Sequence, residues 1–249
     1  MEFNSIEIIL LLETNLNKIM YNEGMSMAKT IQGMFFDFDG IILETEGPIF
    51  QSLQEIYNSF GYELTLNDWA KVIGLSPKEH DQFCDLEALA SDGFDRANLE
   101  IRFARREQEL ILEQDILPGI EDYINAAKER SLKLAIVSSS SREWVHGHLE
   151  RLGLLSYFDI TCCADDVMHA KPDPALYVLA LEKLNLYPHQ VIVLEDSPNG
   201  VLAAKRAELF CVAVPTEMTK QLSLDMADLK INSLADVPLD ELLDHVQDR

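Results

Sequence analysis

The stretch Met34-Phe35-Phe36-Asp37-Phe38-Asp39-Gly40 decides the fold, because an apolar run ends there in two carboxylates set one residue apart. Met34 to Phe36 reads as a short buried strand of a parallel sheet. Open α/β sheets place their sites at the carboxyl ends of such strands, which makes Asp37 and Asp39 candidate site residues. Gly40 then permits a sharp turn. Taken alone, an Asp-x-Asp-Gly tetrapeptide also suits plain turns and calcium loops, so its meaning depends on the rest of the chain.

Three segments nearer the C-terminus supply that context. Leu134 to Val137 reads as a second buried strand and runs into Ser138, Ser139, Ser140 and Ser141. Ser141 suits the cap of a following helix whose apolar stripe is Val145, Leu149 and Leu152, with Gly153 at its C-terminus. Hydroxyls and free N–H groups at a helix N-terminus make a ready anion site. Next, Lys171 precedes the Pro-stiffened turn Pro172-Asp173-Pro174 and a helix with Leu176, Ala180 and Leu184 on one face. A lone surface lysine would carry no meaning. Finally, the apolar run Val191 to Leu194 ends in Glu195-Asp196, with Ser197 and Pro198 fitting the N-cap and first turn of another helix.

In this order the four segments resemble the haloacid dehalogenase (HAD) superfamily of phosphohydrolases, over about residues 31 to 245. Asp37 and Asp39 match its first motif, Ser138 the second, Lys171 the third, and Glu195 with Asp196 the fourth. The run from Asp37 to Glu44-Thr45-Glu46, with Glu195-Asp196-Ser197-Pro198-Asn199-Gly200, looks like the branch containing β-phosphoglucomutase and many small-molecule phosphatases. The resemblance implies an α/β fold: a Rossmann-like parallel sheet core over 31–45 and 114–249, with an inserted helical cap over 46–113. It also implies a phosphatase acting on a small phosphorylated metabolite. Phosphate monoesters are very slow to hydrolyse unaided, so such a site must supply a nucleophile, charge neutralisation and a proton.

On this resemblance Asp37 is the nucleophile, forming an aspartyl-phosphate. Asp39 is general acid and then base, and must hold a proton in the first step, which crowding by other carboxylates would favour. Ser138 and Ser139, with nearby backbone N–H groups, bind the phosphoryl oxygens; Lys171 offsets their charge and keeps Asp37 ionised. The cofactor is Mg²⁺, which prefers oxygen ligands and few protein carboxylates. Its ligands are Asp37, the Asp39 carbonyl and Asp196, with Glu195 bound directly or through water. A dehalogenase is disfavoured because such relatives lack the second aspartate, and Asp39 is present. The alternatives are a sugar-phosphate mutase and a catalytically idle ligand-binding protein. Against the mutase, Ile49 and Pro77 stand where β-phosphoglucomutases place a His and a basic residue; Lys78, Arg102, Arg105 and Arg106 are the cations that would substitute.

Composition agrees with a globular enzyme: 249 residues, 47% apolar and 25% charged. A formal charge of −23 argues against nucleic acid or an anionic membrane as partner. The charge also means that a phosphorylated substrate must be attracted locally, by the metal and Lys171. The four cysteines lack zinc spacing, and adjacent Cys162 and Cys163 read as core thiols of a reducing, cytoplasmic compartment. A monomer is expected.

Residues 1–30 read as an N-terminal extension, with the apolar patch Ile6 and Ile8 to Leu12 too short to span a bilayer. The main fold is then expected to begin near Met25 or Met27. Phe50, Leu53, Ile56, Tyr57 and Phe60 form one helical face ended by Gly61, and Ile101, Phe103, Ala104, Leu110 and Leu112 suggest a second long helix. Ile120, Ile124 and Ala127 begin a third after Pro118-Gly119. His146 and His148 should face different sides of their helix, and Asp165-Asp166 should sit in a loop before Lys171. Trp69 and Trp144 read as packing residues.

Overall fold

The computed structural model describes residues 30–69, 72, 81–90 and 94–247. The apolar patch near the N-terminus, Met25, Met27, Pro77 and Lys78 lie outside them. Strand β1 (Gly33–Phe36) sits inside a six-stranded sheet of order β3-β2-β1-β4-β5-β6, with β2 at Lys133–Val137, β3 at Ile160–Cys162, β4 at Val191–Glu195, β5 at Phe210–Ala213 and β6 at Leu229–Lys230. Every pairing is parallel. This is the Rossmann-like α/β architecture expected.

Why the deciding strand is apolar throughout is explained by its surroundings. Alternate side chains point to opposite faces, and both faces are covered. Met34 and Phe36 pack with residues of helices α5 (Ile120–Glu129), α6 (Arg142–Arg151) and α9 (Leu239–Gln247). Phe35 packs on the other face with Leu176, Tyr177 and Ala203, carried by α7 (Ala175–Leu184) and α8 (Pro198–Arg206). All three strand residues are fully buried. In register, Phe36 stands between Ile136 of β2 and Leu194 of β4, so the three strands finish side by side. Asp37, Ser138 and Glu195 therefore emerge at one edge.

Among the described residues, four helices intervene between β1 and α5: α1 (Glu46–Ser59), α2 (Leu66–Trp69), α3 (Cys84–Leu89) and α4 (Arg96–Leu112). They bury their own apolar cluster, including Leu53, Tyr57, Trp69, Phe83, Leu86, Leu99 and Phe103. The chain leaves and re-enters the sheet layer at Leu43 and Ile116, which pair in an antiparallel bridge. Asp95 caps α4 by accepting from the Asn98 N–H at 3.2 Å, and Arg106 of α4 reaches Glu55 of α1 at 3.0 Å. The expected face of α4 needs correction. Ile101 and Leu112 are 68% and 50% exposed and Ala104 is exposed, whereas Leu99, Phe103, Leu110 and Ile111 are buried. At 100° per residue, positions 101 and 112 fall opposite the buried stripe.

Several local expectations hold. Ser141 caps α6 through the Trp144 N–H, Ser197 caps α8 through the Gly200 N–H, and Pro198 opens that helix. The four cysteines are free thiols, three of them buried. Among the described residues no helix is long and apolar enough to cross a membrane. Because Phe36 lies at the centre of the sheet with no exposure, Phe36→Ala should cost about 3–5 kcal/mol through lost burial and an unfilled cavity. Urea unfolding measured on both proteins checks this; a loss under about 1 kcal/mol would contradict the packing described.

Candidate active site

Asp37 follows β1 directly, its N–H donating to the Leu194 carbonyl at 3.0 Å, so the end of β4 holds it. Lys171 comes from the loop ahead of α7 and is 3% exposed. Its ammonium donates to Asp37 Oδ1 at 2.9 Å, Glu195 Oε1 at 2.6 Å and the Val137 carbonyl at 2.7 Å. Three strand ends are thus tied by one side chain. Tyr177, fully buried on α7, donates to the same Glu195 oxygen at 2.5 Å. Burial and then the Glu195 carboxylate hold the Tyr177 phenol well above its ordinary range.

Asp37, Glu195 and Asp196 are all buried, with one oxygen from each lying within 4.8 Å of the others. Against them stands the Lys171 ammonium, held above its ordinary range by Asp37 and Glu195 despite its burial. Three carboxylates against one cation leave an excess of negative charge. Its effect is visible at Asp37, where burial and then Glu195 push the carboxyl up to about 8 against the pull of Lys171. Asp196 is held well above its usual range by burial, Asp37 and Glu195. Glu195 Oε2 is buried and has no hydrogen-bond partner. An oxygen-rich cluster with excess charge and an orphaned oxygen has the chemistry of a divalent-cation site.

Two glycines permit this crowding. A Cβ on Gly200 would collide with Glu195 Oε2, and one on Gly40, where φ is +79°, would collide with Asp196 Oδ2. Neither position accepts a side chain while the carboxylates stay put.

Asp39 stands close enough to Asp37, Glu44, Glu46 and Glu107 for its charge to act on each of them. Its side chain turns to donors: Thr45 Oγ1 at 2.9 Å and Trp144 Nε1 at 3.0 Å reach Oδ1, and Ser140 Oγ at 2.6 Å reaches Oδ2. Ser138 Oγ lies 3.4 Å from the same Oδ2 and accepts from the Ser140 N–H at 3.0 Å. Ser138 is buried, and the neighbouring Ser139 hydroxyl is buried without a partner. Trp144, expected only to pack, is therefore a site residue. An indole N–H binds whatever tertiary structure brings to it, and no local spacing announces that. His148 packs edge-on to Trp144 at 4.6 Å, while His146 turns to Thr161 at 2.8 Å, so the two rings do face apart. Asp165 and Asp166 bind Arg142.

Three further glutamates stand within electrostatic reach of Asp39: Glu44 and Glu46, from the run after Asp37 quoted above, and Glu107, which the sequence does not mark. Burial and then Asp39 push Glu46 up to about 8 and Glu107 up to about 7, and burial raises Glu44. Of the cations considered for a substrate, Lys78 lies outside the described residues, Arg102 and Arg105 are exposed, and Arg106 is engaged by Glu55 and Glu109.

The direction of the Asp37 shift sets a pH dependence. An unfolded carboxyl titrates near 4, whereas folded Asp37 titrates near 8. Between those values the native state holds the extra proton, so stability falls as pH rises from about 4 to about 8. Chemical denaturation in excess chelator should show this decline, at up to about 1.4 kcal/mol per pH unit for one whole proton. Asp37→Asn should make it shallower, with Asp196, Glu46 and Glu107 left to titrate in the same direction; an equal slope in both proteins would refute the assignment.

Comparison with known proteins places these features in company. The sequence profile of the haloacid dehalogenase-like hydrolases matches residues 34–214. YhcW of Bacillus subtilis is 40% identical over 220 residues, covering 87% of this chain and 98% of that protein. The phosphorylated carbohydrates phosphatase of Thermotoga maritima is 32% identical over 180 residues, 71% of this chain and 82% of its own. Among solved structures, CbbY from Rhodobacter sphaeroides in complex with phosphate superposes with a TM-score of 0.69 at 26% identity, covering 83% of this chain and 96% of that one.

Proposed function

The chain belongs to the haloacid dehalogenase-like hydrolases, and from that premise we propose that it is a Mg²⁺-dependent phosphatase releasing phosphate from a small phosphorylated metabolite through a phospho-Asp37 intermediate. The observation that carries the reading is the Asp37–Lys171–Glu195 arrangement beside Asp196 at one strand edge. A nucleophile, a fixed cation and spare metal-seeking carboxylates have no common purpose in a binding protein.

The residues present fit the ion: Asp37 and Asp196, with the Asp39 carbonyl and Glu195 directly or through water, would hold it. When bound, Mg²⁺ offsets carboxylate charge and draws electron density from a phosphoryl oxygen. Asp37 attacks phosphorus through one carboxylate oxygen, forming an acyl phosphate as the ester oxygen departs. Asp39 gives that oxygen its proton. It then takes a proton from the water that attacks phospho-Asp37, releasing inorganic phosphate and restoring both carboxyl groups. Lys171 holds Asp37 by Oδ1 at 2.9 Å, leaving Oδ2 as the attacking atom. Ser138, Ser139 and adjacent backbone N–H groups orient the phosphoryl oxygens.

Helices α1 to α4 serve as the cap, over 46–113, covering the strand edge during transfer and excluding water. The phosphorylated carbohydrates phosphatase of Thermotoga maritima and hexitol phosphatase B of Escherichia coli, 28% identical over 225 residues, support a metabolite ester as substrate. A mutase would need a second phosphate site in the cap. Arg106, one candidate for it, is already paired with carboxylates. We place the protein in the cytoplasm on the strength of its free thiols, acting as a monomer because the whole constellation comes from one chain.

Phosphate release from a panel of phosphorylated metabolites, with and without Mg²⁺, tests the reading. Release should require the metal and fall by at least about 1000-fold in Asp37→Asn. Isomerised phosphosugar without phosphate would point to the mutase, and binding without turnover to an idle protein. Mg²⁺ should also raise the melting temperature, more at pH 8 than at pH 6, because the ligands must lose protons to bind it.

A further inference from the structure

Tyr177 stands outside the transfer chemistry, yet it bonds one of the carboxylates of the strand edge. It lies in the first turn of α7 with no exposure, its ring packed among Phe35, Val193 and Cys211 on one face of the sheet. From there the phenol donates to Glu195 Oε1 at 2.5 Å, and the ring centroid lies 5.2 Å from the Lys171 ammonium. Lys171 donates to that same oxygen at 2.6 Å. Each carboxylate oxygen has a pair of acceptor sites, and on Oε1 both are taken by short, charge-assisted bonds. The other oxygen, Oε2, is buried, has no hydrogen-bond partner among the described residues and lies against the Cα of Gly200. The backbone of Glu195 is fixed as well, its carbonyl accepting from the Val214 N–H at 2.7 Å. Glu195 is therefore pinned by one oxygen and has only the other to give.

Whether a carboxylate gives one oxygen or both matters to the ion beside it. Mg²⁺ demands a tight octahedron, keeps several waters and uses few carboxylates, whereas Ca²⁺ takes more oxygens at longer distances and readily takes both from one carboxylate. By charge, the cluster of Asp37, Glu195 and Asp196 suits either ion. Selection then falls to the partners that fix each ligand's orientation, which commonly change metal affinity by about 10–100-fold. Without the phenol, Oε1 regains an acceptor site, and Glu195 gains both the charge and the freedom to turn two oxygens toward a large ion.

We propose that Tyr177 is a positioning residue: sharing Oε1 with Lys171, it limits Glu195 to one oxygen for a cation and so favours Mg²⁺ over the larger Ca²⁺. This rests on the Mg²⁺-dependent reading of the site and adds to it the residue that selects the ion. Tyr177 acts through Glu195 and takes no part in the transfer itself.

Calorimetric titration of the full chain with Mg²⁺ and with Ca²⁺ reads the selection without turnover. The parent should bind Mg²⁺ at least about 10-fold more tightly than Ca²⁺; equal affinities, or a preference for Ca²⁺, would overturn the proposal and need no variant to be folded. Tyr177→Phe keeps the ring beside Lys171 and removes only the hydroxyl. It should move the ratio of the two affinities toward Ca²⁺ by at least about 10-fold, and Ca²⁺ should then inhibit Mg²⁺-supported phosphate release at a lower concentration than in the parent. In a Glu195→Gln background the same substitution should change the ratio by less than about 2-fold, because the group it acts through is gone. An unchanged ratio in Tyr177→Phe, or both ions weakened alike, is the behaviour of a packing residue and would overturn the proposal. So would a full shift that survives in the Glu195→Gln background. Each of these results leaves Mg²⁺-dependent phosphate release, and the phosphatase reading, standing; failure of both ions to bind the parent would overturn the metal-dependent reading, and the role of Tyr177 with it.

Discussion

One ammonium group among three buried carboxylates organises this molecule. Lys171 touches Asp37, Glu195 and the end of β2 at once, which is possible only because three adjacent parallel strands finish together. A buried charge is tolerated when it is paired and fully hydrogen-bonded, and Lys171 satisfies that condition with all three of its donors. The carboxylates do not, because they outnumber it. The fold thus concentrates at one strand edge a negative charge that invites protons or a divalent cation, and either one changes how readily Asp37 can act as a nucleophile. Stability and reactivity are here two aspects of one electrostatic imbalance.

The same edge shows why small residues matter as much as charged ones. Glu195 is held on one side by Lys171 and Tyr177 and closes on the other against the Cα of Gly200. Asp196 closes in the same way against Gly40. Backbone thus closes on the carboxylates from the side that Lys171 and Tyr177 leave open, which limits how far they can separate. A site whose ligands are already crowded before an ion arrives loses little side-chain freedom on binding it.

How much of this was legible in the sequence depended on how local the cause was. Short apolar runs ending in Asp37, Ser138 and Glu195 announced buried strands and their polar ends, because burial on both faces writes itself as continuous hydrophobicity. Ser141, Ser197 and Pro198 marked helix starts by their own chemistry. What failed was set by distant packing. In α4 the apolar Ile101 and Leu112 suggested a face that the helix turns outward, since the insert's core is set by Leu99 and Phe103 meeting α1 and α3. Glu107 carried no mark in the sequence, and only the packing of α4 brings it within reach of the Asp39 charge. Trp144 gave no sign of bonding Asp39 because the partners lie 105 residues apart.

The chain holds two tryptophans, and the fold has put one in each half. Trp69 is sealed in the insert beside a carboxylate, and Trp144 donates to the aspartate after β1. Indole emission responds to polarity and to nearby carboxylates, so the protein contains a pair of optical sensors with separate addresses. One reports the interior of the insert and the other the resting position of Asp39, which would let the two halves be followed independently in time without any added label.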